Sequence, residues 1–243
     1  MSYQSTFRRR EIKYLLTKQD KEFILETMKE YMKPDHYGRT VIRNVYFDTD
    51  RYRLIRRSLE KPVYKEKLRI RSYCRAEPEE PVFVELKKKY KSVVYKRRIL
   101  LPQKQVMESF DCGLPLPGSS QIIAEIEYFR SYYKDLFPKV FLSYEREAFS
   151  DVNNSGLRIT FDENILYRNK DLSLSSAVYG QPLLREGDVL MEIKTAESIP
   201  LWLCHILTQR KIYQTSFSKY GNAYHCLMMN QMKLIQRRDI YVR

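Results

Sequence analysis

KEKLRIR at residues 65–71 and VFVELKKK at residues 82–89 decide how this chain is read. In a strand, residues i, i+2 and i+4 share a face. Counted by twos, the first stretch sets Lys65, Lys67, Arg69 and Arg71 against Leu68 and Ile70. The second sets Phe83, Glu85, Lys87 and Lys89 against Val82, Val84 and Leu86. Working outward, the same division recurs. YKRRIL aligns Lys96 with Arg98, and Tyr144 stands beside Arg146. Arg158, Thr160 and Asp162 oppose Leu157, Ile159 and Phe161, while Glu192 and Lys194 oppose Met191 and Ile193. The first strand offers Arg9, Glu11 and Lys13.

One such strand would simply turn a charged face to water, as antiparallel strands commonly do. Across the set, however, the sign is mostly positive, and like charges on neighbouring strands repel unless an anion lies between them. A lumen lined by cations, with the apolar faces turned outward under helices, resolves the conflict. Strands are expected at 8–16, 40–48, 63–75, 81–90, 92–101, 139–149, 156–163 and 188–195, enough to close a barrel. Helical periodicity opens at Thr17 or Asp20 and ends before Pro34; it returns at about 102–110, 119–135, 199–210 and 217–234. The expected fold is therefore α+β: a closed antiparallel eight-stranded barrel with helices packed on its outside, forming one domain over residues 1–243.

Composition narrows the partner. The 44 Lys and Arg outnumber the 30 Asp and Glu, giving a net charge of +14 and calling for an anion: nucleic acid, a membrane surface or a free polyanion. The four cysteines have neither disulfide-framework nor zinc-ligand spacing, which suits a reducing, cytoplasmic setting. No stretch of about 18 apolar residues occurs, so no transmembrane segment is expected, and a membrane partner would be met only peripherally. No GxxxxGK[ST] loop or Ser-His-Asp constellation is apparent, and His36, His205 and His225 read as structural or surface residues. Glu11, Glu85 and Glu192 lie on the cationic faces, where each could pair with a neighbouring cation or hold Mg²⁺ or Mn²⁺ against substrate phosphates. Metal is the preferred reading for Glu192; the other two stand even.

These segments resemble, in order and spacing, the catalytic domain of the vacuolar transporter chaperone (VTC) family, polyphosphate polymerases among the triphosphate tunnel metalloenzymes. The likeness runs from RREIKYLL through VIRNVYFDT, KLRIRSY, VFVELKKK, SYEREAF, LRITFDENI and VLMEIKT to FSKYGNAY. It implies that Arg69 and Arg71 grip a triphosphate, and that Lys87 and Lys96 are lumen lysines. It further implies that Tyr144, Arg146 and Arg158 bind the phosphate chain, that Lys13 faces the lumen and that Glu192 binds metal. Ser218 and Lys219, at the start of a helix, match a phosphate-binding pair, and a helix N-terminus favours anions independently. Lys67, Lys89, Arg98 and Lys194 join them as substrate-binding candidates on the same faces; Arg98 and Lys96 could exchange roles. Eukaryotic members carry a phosphate-sensing domain before this one and membrane helices after it; these residues contain neither, so coupling to transport is not expected.

The implied reaction moves the γ-phosphate of ATP to inorganic polyphosphate with Mn²⁺ or Mg²⁺. A triphosphatase with water as acceptor places nearly the same demands on sequence. A noncatalytic polyphosphate or nucleic-acid binder is the remaining alternative. Nucleic acid is disfavoured, because Tyr73, Tyr90 and Tyr95 interleave with basic residues in a chain whose 20 tyrosines read mainly as core and interface residues.

Overall fold

The computed structural model describes residues 6–7, 10–91, 93–153, 155–196 and 198–241; Arg9 lies outside them. The chain runs through β1 (Thr6–Phe7), β2 (Arg10–Leu16), α1 (Lys18–Thr27), β3 (Met32–Pro34), β4 (Thr40–Asp48), α2 (Arg53–Leu59), β5 (Tyr64–Ser72), β6 (Pro81–Tyr90) and β7 (Val93–Pro102). It continues through α3 (Gln103–Asp111), α4 (Gln121–Tyr133), β8 (Phe137–Asp151), β9 (Arg158–Arg168), β10 (Gln181–Pro182), β11 (Val189–Thr195), α5 (Leu201–Gln209), β12 (Gln214–Thr215) and α6 (Lys219–Tyr241). Local chemistry sets several boundaries. Thr17 and Asp20 form a reciprocal capping box at the start of α1, and Ser120 accepts from the Ile123 amide to open α4.

The strands form one antiparallel sheet in the order β1-β7-β6-β5-β4-β8-β9-β11-β2-β12, with β10 added to β9 and β3 to β8. This corrects the expectation of a closed eight-stranded barrel: among the described residues twelve strands take part, and their hydrogen-bonded ladder does not return on itself. The reason lies in where the first strands pair: Thr6–Phe7, before the expected 8–16 strand, joins β7 at one end of the ladder, whereas Arg10–Leu16 joins β11 near the other. The sheet nonetheless curls, bringing Lys87 of β6 within 3.6 Å of Glu11 on β2.

Alternation separates the layers as expected on the outer face. Leu68, Ile70, Val82, Val84 and Leu86 pack beneath Val106 of α3 and Ile126 and Phe129 of α4. Ile159, Phe161, Met191 and Ile193 pack beneath Ile24 of α1 and Leu203 and Ile206 of α5. Each such fully buried aliphatic side chain contributes roughly 1.5–3 kcal/mol relative to exposure.

The inner face departs from the expectation that helices lie only outside. Tyr220, Ala223 and Leu227 of α6 pack on Ile42, Leu142, Tyr167 and Leu190, residues of the same face that elsewhere carries the cations. A bulge in β9 makes this change of character possible. Asn164 takes φ 48°, and pairing with β8 shifts between Ser143 and Glu145. The extra residue flips the phase of the strand, so Asp162 faces inward before it and Ile165 and Tyr167 face inward after it.

Candidate functional site: a cationic inner face

The inner face is organised around buried carboxylates. On β6, Glu85 is 1% exposed and takes the Arg69 guanidinium at 2.7 and 2.8 Å and the Lys96 ammonium at 2.7 Å. Arg69 also donates to the Tyr46 hydroxyl at 2.8 Å. Arg71 donates to Asn44 Oδ1 at 2.9 Å and to the Tyr144 hydroxyl at 3.3 Å. Burial opposes ionisation of Glu85, but Arg69, Arg71 and Lys96 outweigh it and hold its carboxyl well below the usual range. Both arginines are thus fixed in direction before any ligand arrives.

A second cluster spans β8, β9, β11 and the start of α6. Arg146 forks onto both oxygens of Asp162, at 2.5 and 2.6 Å, and Lys219 reaches Asp162 at 2.5 Å. Glu192 lies beside them, 3.0 Å from Lys219, 3.4 Å from Arg146 and 3.7 Å from both Lys13 and Lys194. Burial again opposes ionisation of Glu192, and Lys219, Arg146, Lys194 and Lys13 overcome it, keeping the group ionised. For Lys219 burial works against the charge, yet Asp162 and Glu192 raise its pKa. The Tyr144 ring joins the two clusters, with the Arg146 guanidinium 5.1 Å and the Lys219 ammonium 4.6 Å from its centroid.

The lysines of β5 and β6 are held differently. Lys67 donates to Ser218 Oγ at 3.1 Å, and the strongest charges acting on it are all positive: Lys87, Lys13, Lys65 and Arg69. Burial and that repulsion press its pKa down to about 7. Lys65 is lowered for the same reasons, by burial and then by Lys89 and Lys87. Burial also lowers Lys96 to about 8 despite the help of Glu85. Like charges stand opposite one another in the ladder, Lys67 beside Lys87 and Lys65 beside Lys89. An anion between them would relieve this repulsion.

A divalent ion can be tested against these donors. Among the described residues, no three His, Cys, Asp or Glu side chains form a set that could enclose one. What is present is the ionised Glu192, the Glu11 carboxylate that repels it, and the Thr160 hydroxyl, buried without a hydrogen-bond partner and opposite Glu192 in the ladder. That donor set fits an ion that keeps water and phosphate oxygens as its remaining ligands, the habit of Mg²⁺. Glu85 does not take part, since Arg69 and Lys96 hold its two oxygens at 2.7 Å, closer than the 3.0–3.7 Å at which cations stand around Glu192.

A profile of the VTC domain matches residues 8–228. The chain belongs to the VTC domain family. Among solved structures it is similar to a protein from Bacillus halodurans described as a "putative adenylate cyclase", with 17% identity, 88% of this chain and 96% of that one covered, and a TM-score of 0.56. A second such protein, from Vibrio parahaemolyticus, shows 10% identity over 91% of this chain and 99% of its own, with a TM-score of 0.48. The Bacillus likeness extends to the fold. No curated protein matches the sequence.

Within this VTC domain, Lys13, Lys67, Arg69, Arg71, Lys87, Lys96, Tyr144, Arg146, Glu192, Lys194, Ser218 and Lys219 converge on the inner face. Lys89 lies on a flanking rung beside Lys65, and Arg98 shares the Glu85 rung with its guanidinium over the Phe83 ring. Arg158 sits at the margin instead, its side chain 45% exposed and paired with Asp35 at 2.8 Å. Asp162 and Lys65 belong to the site although sequence reasoning left them off its roster. The alternation that placed Asp162 beside Arg158 and Lys65 beside Lys67 already carried the signal. Nothing local in the sequence brings Asn44 or Tyr46 to the arginines; that depends on the β4–β5 register.

Proposed function

We propose that this VTC domain is a polyphosphate polymerase that transfers the γ-phosphate of ATP to the end of an inorganic polyphosphate chain. The observation that carries the reading is the pair of lysine rungs, Lys65–Lys89 and Lys67–Lys87, next to arginines already aimed by Glu85. Such a row suits a chain of phosphates better than a single one, because on β5 a cation recurs at each inward position from Lys65 through Lys67 and Arg69 to Arg71. In the reaction, a terminal phosphate oxygen of the acceptor forms a bond to the γ-phosphorus. The bond from that phosphorus to the β–γ bridging oxygen breaks, and its electron pair leaves with ADP.

The acceptor is already an anionic nucleophile, so the residues need only position it and neutralise charge. Arg69 and Arg71 fork onto phosphate oxygens of the nucleotide. Arg146 and Lys219, held by Asp162, face the transferred group, while Lys67, Lys87 and Lys96 seat the chain. A divalent ion at Glu192 would add positive charge shared between carboxylate and phosphate oxygens. Purified protein given ATP and Mn²⁺ is expected to build a long acid-precipitable polymer. Release of orthophosphate alone would make the domain a triphosphatase, and no turnover would leave it a binder.

A further inference from the structure

The inner face changes chemistry along its length. Across β5, β6 and β7 the successive rungs are Lys65–Lys89–Val94, Lys67–Lys87–Lys96, Arg69–Glu85–Arg98 and Arg71–Phe83–Leu100. Tyr73 follows in the bend just past the end of β5, and its contacts with Phe83 and Arg71 place its ring beside the inner face. Its ring meets Phe83 edge-on, with centroids 5.7 Å apart and planes at 87°. The Arg71 guanidinium lies 5.9 Å from the Tyr73 centroid, and that of Arg98 lies 4.8 Å from Phe83. Tyr73 is 42% exposed, and neither ring belongs to any of the three apolar clusters. Packing of the core therefore does not account for the pair.

We infer that Tyr73, supported by Phe83 and flanked by Arg98, is the stacking platform for the base of a nucleoside triphosphate whose phosphates lie on Arg71, Arg69 and the lysine rungs. The inference rests on the phosphate-holding reading of the inner face and gives it a direction: nucleoside at the Tyr73 end, phosphate chain toward Lys65 and Lys89. The 5.9 Å between the Arg71 guanidinium and the Tyr73 ring is a span that a ribose bridges. Bases stack on tyrosine rings and on guanidinium planes alike, because every base has a π-face. The contact of Arg71 with Tyr73 couples the platform to a residue placed on the phosphates. A purely phosphate-binding face has no use for an exposed ring at that point.

The test compares ATP with tripolyphosphate, which shares the phosphates and lacks the nucleoside. Calorimetric affinities of both are measured for the full chain and for the variants Tyr73→Ala and Tyr73→Trp, with melting curves as a check on folding. Tyr73→Ala is expected to weaken ATP by roughly fivefold to a hundredfold, the size of a base–aromatic stack, and to leave tripolyphosphate unchanged. Tyr73→Trp is expected to restore the preference for ATP. Equal losses for both ligands, or no loss for either, would overturn the platform while leaving the phosphate reading intact. Failure of the unmodified protein to bind tripolyphosphate would overturn that reading and the inference with it.

Discussion

Two neighbouring parts of one sheet face carry the same sign of charge in opposite ways. Around Glu85, arginines and Lys96 are locked onto a buried carboxylate, and two tyrosine hydroxyls and an asparagine complete their hydrogen bonds. One and two rungs away, Lys67 and Lys65 face mainly other cations, and Lys67 falls to a pKa of about 7. The first region is electrostatically satisfied and rigid; the second is destabilised in the absence of an anion. A binding face needs both. Fixed arginines supply geometry, while frustrated lysines supply a charge deficit that only a ligand relieves.

The strongest way to break this contrast is to remove the carboxylate. Glu85→Gln leaves Arg69, Arg71 and Lys96 buried without their shared anion, and is expected to destabilise the fold by about 3–5 kcal/mol in denaturant titrations. Saturating polyphosphate should recover part of the loss. A variant as stable as the original would show that Glu85 does not organise the arginines. Next in size, Arg69→Ala removes one charge-assisted fork and should weaken tripolyphosphate by about 1.5–3 kcal/mol. Unchanged affinity would place Arg69 off the phosphate path.

Lys67→Met probes the frustrated side and should have a smaller effect on folding, with the opposite sign. Removing a charge surrounded by like charges is expected to raise the melting temperature at neutral pH while weakening polyphosphate binding. The pH dependence follows from the same residue. With a folded pKa of about 7 against the ordinary lysine value of 10.5, the unfolded chain binds more protons between those values, so stability contributed by this group rises with pH across that window. Melting curves of Lys67→Met should lack that part of the rise; an identical pH profile would contradict the assignment.

Much of this contrast was legible in the sequence, because period-two alternation reports which side chains share a face. The stretches KEKLRIR and VFVELKKK fold as expected, with Leu68, Ile70, Val84 and Leu86 fully buried. Three features were not legible. The bulge at Asn164 breaks the alternation, so the expected strand ends at 163 whereas β9 runs on to Arg168. The helix α2 has no side-chain cap of its own; its Leu54 and Ile55 amides donate to Asp48, the last residue of β4, at 2.8 and 3.0 Å. That partner lies outside the spacing of a capping box. Finally, α6 reads as an ordinary amphipathic helix, and nothing in its periodicity says which face of the sheet receives it. Its place is set by Tyr220, which stacks on Tyr46 at 4.6 Å and donates to Asp48 at 2.9 Å.

The central claim is that the lysine rungs are a site built for a phosphate chain, and proton uptake on binding tests it most directly. Long-chain polyphosphate, whose inner phosphates do not titrate near neutrality, is titrated into the protein at about pH 8 in two buffers of different ionisation enthalpy. At that pH Lys67 is largely neutral, and an anion laid beside it raises its pKa. Binding is therefore predicted to take up protons, with the uptake reduced in Lys67→Met. Tight binding with no proton uptake, or an uptake unaltered in the variant, would contradict the account.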